Sequence, residues 1–554
     1  MVRGVPLGKP GGKRRSPLHH PTRSLRPIGL LDRIPSDQSL CLKNPIHSLL
    51  SSAGRLCHYS RNRLPMPSRL ARNIPLFIAF RVLFNARWYY PVMSVLFLDF
   101  GLTIEQFALL NVAWAAAIVG LEVPSGALAD AWGRRRLVVG AAVLMVVEMS
   151  VFSFAPRGNP GLLFALLLMN RILSGAAEAS ASGADEALAY DSLAAEGRES
   201  EWPRVLARVM RWQSLGFFAA MMLGAAIYDP ALVQRVLDAL GLPWHATREV
   251  TMRLPIYFTL ANAVLALFVT LQMREPPATI KANVEGQVSD DEAPSSVAGK
   301  EGGMRASRIS SPVTIEPAAP SLAGAPSSDH STAEAPHVAA PASASTGAAA
   351  TWRATLAAGR WILATPVALR IILAGLCFDS IARLFLTMGS NYYRLIGLPD
   401  ATFGLIGSGF AVLGFFVPAL ANRLVARGTP GTNFSLVAAL VLVSLIGIAC
   451  IWPLFGLLWL IPLGVAMSLT GFFVSHYLNE AVTDSRQRAT VLSFRGLAFN
   501  LAYGGIGLLF AALSRALQHH GPPEAVFAES LGWLPWYFAA TLMLLTFAWR
   551  RLRR

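Results

Sequence analysis

The chain runs to 554 residues, of which 54% are hydrophobic and 14% charged, and it carries a formal net charge of +16. A water-soluble domain normally holds about a quarter charged residues, so there is too little polar surface here for water to be the solvent on every side. The basic residues fall in an N-terminal tail and in short loops between apolar runs, not in a basic-aromatic groove, which excludes a nucleic-acid-binding domain.

Residues 1–65 contain twelve Lys/Arg and two Asp, a local charge of +10, and are rich in proline and arginine. They hold no apolar run long enough for a secretory signal, so a disordered basic extension over 1–70 is expected. Three readings stay open for it: a basic arm on the anionic cytoplasmic leaflet, an organelle transit peptide, or a reading frame whose translation begins at Met66.

A helix needs about twenty mostly apolar residues to cross roughly 30 Å of hydrocarbon. Twelve segments qualify. Six lie near 74–98, 104–128, 136–155, 161–184, 205–228 and 253–273, and six near 366–392, 401–422, 433–452, 455–478, 490–513 and 531–549. The expected organisation is a first six-helix bundle over 71–273 and a second over 361–554. Between them, 274–360 is rich in Ala, Ser, Pro and Gly with an acidic run at Asp290, Asp291 and Glu292, and reads as a disordered cytoplasmic linker.

Arginines gather in the loops after even-numbered spans: Arg134, Arg135 and Arg136, then Arg198 and Arg204, Arg423 and Arg427, Arg486 and Arg488, and finally Arg550, Arg551, Arg553 and Arg554. The opposite loops are poorer in them, although Arg235, Arg248 and Arg253 flank the fifth-to-sixth connection. Both termini are therefore expected in the cytoplasm, with the protein in the cell membrane. The two halves also resemble each other. The segment from Arg87 aligns without gaps on that from Arg383, matching Gly101 to Gly397, Leu102 to Leu398 and Phe107 to Phe403. Internal repeats of this kind accompany solute sites at a repeat interface.

After the second span the chain reads GALADAWGRRR, from Gly126 to Arg136. This resembles the signature known as motif A of the major facilitator superfamily, and the resemblance covers about residues 70–550. It implies an all-α membrane fold of twelve helices in two pseudo-symmetric six-helix bundles, with the first, fourth, seventh and tenth spans lining a central cavity. It also implies that Asp130 and Arg134 act in gating, steadying the outward-facing state, with Gly126 and Gly133 allowing close approach and a tight turn. The RILSGAAEA of the fourth span, from Arg171, is similar to the family's motif B, where an intramembrane arginine is linked to proton coupling. The fifth span departs from the family's drug/proton antiporters: GFFAAMMLGAA, from Gly216, keeps small residues at Gly216, Ala220 and Gly224 but lacks their proline.

An unpaired charge at the bilayer centre costs at least about 2.5 kcal/mol, so each intramembrane charge asks for a partner, water or a ligand. Glu178 and Asp185 follow Arg171 at intervals of seven and are expected on nearly one helical stripe with it. Either this stripe carries protons or holds an anionic group on Arg171, or it is a static ion network. Arg81, Asn85 and Trp88 share a face of the first span, suited to a central cavity, with Arg87 pointing elsewhere. Asp379 and Arg383 stand four apart on the seventh span, as a local salt bridge or a substrate site. Glu122 either titrates during transport or accepts bonds from the cytoplasmic arginines. Glu148 has no obvious local partner. His476 and Glu480 fall at a cytoplasmic rim and read as solvated.

Cys41, Cys57, Cys377 and Cys450 form no ligand cluster and no CxxC pair, so no metal site or disulfide framework is expected. No GxxxxGK[ST] loop is present, so no cofactor is expected and a proton gradient is the anticipated energy source. No nucleophile-base pair at membrane depth points to an enzyme. The expectation is a monomeric secondary transporter in the lipid bilayer, moving a small organic solute by alternating access, in the direction of efflux. An uptake permease for an anionic or zwitterionic metabolite is the alternative.

Overall fold

A computed structural model describes residues 70–276, 348–482 and 485–551, and within them the chain is helical with no strand. The first half comprises α1 (Asn73–Asn85), α2 (Met93–Phe100), α3 (Ile104–Trp132), α4 (Arg134–Ser153), α5 (Pro160–Ala181), α6 (Ala184–Ala194), α7 (Trp202–Tyr228), α8 (Pro230–Ala239), the single turn α9 (Arg248–Thr251) and α10 (Leu254–Gln272). The second half comprises α11 (Ala348–Ala364), α12 (Pro366–Leu395), α13 (Phe403–Arg427), α14 (Pro430–Ala449), α15 (Leu460–Ala481), α16 (Ser485–Leu517) and α17 (Pro523–Arg551). Starts follow local rules: proline at the first turn of α5, α8, α12 and α14, and a Thr103–Gln106 capping box before α3. Phe268, Leu501 and Leu544 stand 60%, 68% and 69% exposed on outward faces, a placement that lipid makes favourable and water does not.

Among the described residues ten helical stretches are long and apolar enough to cross a membrane, or eleven when α7 is joined to α8 across an 84° bend. The shortfall from twelve lies in the fifth expected span, bent between α7 and α8, and in the first, broken between α1 and α2. The break coincides with Pro91, which has no N–H to donate to the carbonyl four residues back, and the chain restarts through a 3-10 turn at Tyr90–Val92.

The repeat is visible in the backbone. Gly101 and Gly397 both take positive φ, +114° and +82°, and end α2 and α12 in the same way. Leu102 N–H returns to Phe97 O at 3.2 Å and Leu398 N–H to Tyr393 O at 3.0 Å, the six-to-one bond that closes a helix at a left-handed residue. In that register Thr387 stands where the first half has Pro91; its hydroxyl donates to Arg383 O at 2.8 Å and the helix runs on unbroken. Beside their Arg87 and Arg383 the two halves are thus unequal, the first broken and the second continuous.

Among the described residues the halves meet chiefly where α3 packs on α16, α7 on α13 and α2 on α12. In the last, Ser94 and Ser390, equivalent in the repeat, join hydroxyls at 2.6 Å, and each also accepts a backbone N–H from the other strand of the contact. Of the stretch expected as a disordered linker, residues 277–347 lie outside the described ones, as does the extension through residue 69. The remainder needs correction: α11 is helical to Ala364 and packs on α16, with Gly359 seated against Phe494, so a boundary at 360 falls inside a helix. Its Ala-, Leu- and Trp-rich sequence has both the propensity and the apolar face that residues 277–347 lack.

Candidate functional site

Arg171 lies mid-way along α5 and is 3% exposed. Its Nη2 donates to Asn111 Oδ1 at 2.6 Å and its guanidinium stands 5.7 Å over the Trp114 ring, both on α3. The two helices come this close because a Cβ at Gly175 would lie 2.8 Å from Ala117 Cβ and from the Trp114 carbonyl. Nε of Arg171 is buried without a hydrogen-bond partner, and among the described residues no carboxylate pairs with the group. A hydrogen bond to a charged donor is worth about 1.5–3 kcal/mol and a cation–π contact up to about 2. Burying an ion costs several kcal/mol, the same order as these contacts supply, and Nε remains without a partner.

The same place is reached from the second half. Trp114 packs with Ala115, Ile118 and Tyr503, the last on α16, and Tyr503 shares a 3.0 Å hydrogen bond with Thr387 on α12. Arg383 stands 5.9 Å over the Tyr503 ring. Its Nη2 lies 2.9 Å from Asp379 Oδ2, one turn back, and its Nη1 reaches Asn500 Oδ1 at 3.4 Å. One arginine from each half therefore meets the Trp114–Tyr503 pair, Arg383 with a carboxylate beside it and Arg171 without.

The stripe expected from Arg171 through Glu178 to Asp185 is interrupted. Gly183, at φ +73°, turns the chain between α5 and α6, so Asp185 leaves the line of Arg171 and opens a new helix. There it is fully buried against Arg81 at 3.2 Å, and Arg81 also holds Glu186 at 2.7 Å. Asn85 donates back to Arg81 O. Trp88, expected on the same face, lies beyond the end of α1. Its ring stacks on Phe258 at 5.0 Å and its amide donates to Thr259, both on α10. Glu148 does have a partner: Arg87, 2.5 Å away, with the two side chains 0% and 2% exposed. The carboxylate of Glu178, half-buried on α5 and within the field of Arg87 and Arg81, makes no hydrogen bond or ion pair among the described residues. Glu122 is also half-buried, with Oε2 lacking a partner. Among the described residues Arg134 and Arg135 have other partners.

Those arginines are engaged elsewhere. Arg134 pairs with the Asp191 carboxylate of α6 and donates to Ala187 O. The amides of Arg134 and Arg135 both donate to Glu275, at 3.0 and 2.7 Å, and Arg135 caps the end of α10 through Leu271 O and Met273 O. Gly133 makes the turn at φ +94°, but a Cβ at Gly126 would meet nothing within 4 Å, so no close helix approach occurs there. The side chain of Asp130 lies outside the described ones. Close approach occurs on α7 instead: a Cβ at Gly224 would run into the Trp88 carbonyl, and one at Gly216 would lie 2.7 Å from Val82 Cγ1.

At the opposite end of the bundle stands a network that the sequence reading did not single out. Asp99 receives Arg394 Nη1 at 2.8 Å and Nη2 at 3.2 Å, and the Tyr228 hydroxyl at 2.5 Å. Asp400 receives Arg248 at 2.5 Å and Arg394 at 3.2 Å, and Arg248 lies 4.6 Å over the Tyr228 ring. Asp229 caps α8 and takes Ala401 N–H from the other half at 3.2 Å. Charges of opposite sign beside the two matched glycines, Asp99 before Gly101 and Arg394 before Gly397, were the available signal.

Two repeated helical halves, joined at one end by ion pairs and holding buried arginines at their centre, define a multi-pass membrane protein of the transporter class and not an enzyme. The chain belongs to the Major Facilitator Superfamily, whose model matches residues 76–507. No curated protein matches the sequence. Among solved structures it is similar to a bacterial homologue of the human lysosomal transporter Spinster, in an inward-facing and unoccupied conformation, at 15% identity and TM-score 0.58, covering 88% of this chain and 98% of that one. It is also similar to the nucleoside transporter NupG, at 12% identity and TM-score 0.57, covering 88% and 99%. At these identities the likeness is one of fold.

Proposed function

We propose that this protein is a proton-coupled secondary transporter that exports a small organic solute bearing an anionic group, acting as a monomer in the cell membrane with both termini in the cytoplasm. The observation that carries the reading is Arg171: a buried cation with no described acid, facing Arg383 across an aromatic pair. Two guanidinium groups with flat aromatic walls suit a carboxylate or phosphate attached to a planar body. Glu178, unpaired between Arg81 and Arg87, is the proton site; its protonation alters the field in which the solute's charge sits. The bias of arginines in its loops supports a cytoplasmic Arg134 end, and closure at the Asp99 end is on that reading an inward-facing state.

Purified protein in liposomes, with an imposed pH gradient and a panel of anionic, zwitterionic and cationic solutes, tests this. Accumulation of anions that collapses in Arg171→Ala and loses its pH dependence in Glu178→Gln is the expected outcome. Transport of cations alone, or anion transport indifferent to Arg171→Ala, overturns it. Uptake of an anionic or zwitterionic metabolite would use the same residues, and inverted against right-side-out vesicles separate the two directions.

A further inference from the structure

The segment between the fifth and sixth spans is built, not slack. Asp229 caps α8 by accepting the amides of Ala231 and Leu232, and Gln234 clips the returning chain to the helix through Ala246 N–H at 2.8 Å and Trp244 O at 3.3 Å. α8 leaves α7 at 84°, so where α7 crosses the bilayer α8 runs along its surface. Val233, Val236, Leu237 and Leu240 recur at the spacing of one helical face, with Gln234, Arg235 and Asp238 opposite. Val236 and Leu240 are 51% and 67% exposed and Trp244, held alongside by the clip, 66%. In water this apolar stripe would be unfavourable. At the level where a spanning helix ends, the boundary between headgroups and acyl chains receives it, and an indole is the side chain best suited to that depth.

We infer that residues 229–248 form a strap seated in the lipid interface of the leaflet on the Asp99 side, with Val236, Leu240 and Trp244 entering the lipid and Arg235 and Asp238 facing water. The seat matters because both ends of the strap stand in the contacts between the halves: Asp229 on Ala401 N–H, Arg248 on Asp400. A lipid surface thereby holds the frame of that closure. It is bilayer, not a second protein, that the geometry selects, since the stripe leaves the end of a spanning helix at 84° and that helix also exposes apolar side chains, at Leu215, Phe218 and Leu223.

Full-length protein with Cys41, Cys57, Cys377 and Cys450 replaced by serine, spin-labelled singly at Val236→Cys, Leu240→Cys, Trp244→Cys, Arg235→Cys or Asp238→Cys, is placed in phospholipid nanodiscs. Collisions with oxygen, which partitions into lipid, are compared with those of a water-soluble nickel chelate. The expected oxygen-to-nickel ratio at the first three sites is at least about twofold above that at Arg235 and Asp238. Equal, nickel-dominated ratios at all five sites overturn the inference, because the strap is then in water. Labels at the first three sites shielded from both reagents overturn it too, because protein then covers the stripe.

Discussion

The ion pairs at the Asp99 end set how firmly the halves close there, and their strength follows from their exposure. Side chains of Asp99, Arg394 and Asp400 are 18%, 35% and 9% exposed. Fully exposed pairs contribute about 0–1 kcal/mol and breaking a buried one costs about 3–5, so Asp99→Asn, which removes the charge that Arg394 contacts twice, weakens closure by about 1–2 kcal/mol. At 1.4 kcal/mol per decade, the population open at this end rises about five- to thirtyfold. Spin labels at Gly158→Cys and Gln518→Cys, in turns of the two halves at the Asp99 end, report that population as a longer inter-label distance in nanodiscs. Arg394→Gln should do the same. The double variant should open by less than the sum of the two singles, because they share the Asp99–Arg394 contact, while Arg394 alone also holds Asp400. An unchanged distance distribution in both single variants, or effects that simply add, would refute the assignment of these residues to closure.

The buried pair of Arg87 and Glu148 behaves differently. Arg87→Leu strands Glu148 in the protein interior at a cost of about 3–5 kcal/mol, seen as a lowered unfolding temperature in detergent, and Arg87→Leu with Glu148→Leu should restore most of it. Gly224→Ala drives a Cβ into the Trp88 carbonyl at the break between α1 and α2, so folded yield by size-exclusion chromatography should fall, at about 1–3 kcal/mol of overpacking. Gly126→Ala, although it alters the superfamily signature, meets open space and should leave yield and transport unchanged.

Spans were legible because lipid demands about twenty apolar residues whatever the fold, and that demand survives averaging over a window. The same averaging hid the break at Pro91, one residue within an otherwise apolar run. Windows also conceal partners. Glu148 read as an intramembrane charge without a local partner and Arg87 only as pointing away from the cavity face; since neither can stay unpaired cheaply, opposite sign alone argued for matching them across two spans. Asp185 was misplaced for another reason: helical periodicity was carried through Gly183, where the backbone turns left-handed and the phase is lost.

The closure at the Asp99 end shows what an internal repeat carries beyond its matches. On a pseudo-two-fold axis a residue meets its own equivalent, so a small polar residue retained at both positions, as at Ser94 and Ser390, marks a contact between halves. Charges there obey the opposite rule. Were Asp99 matched by an acid in the second half, like would face like across the axis and closure would be repelled. Its equivalent is Leu395, while Arg394 answers to Leu98, one position out of register, which lets a cation of one half lie against an anion of the other. It is the mismatch of charge beside matched glycines, more than the match itself, that allows the repeated turns to close on each other.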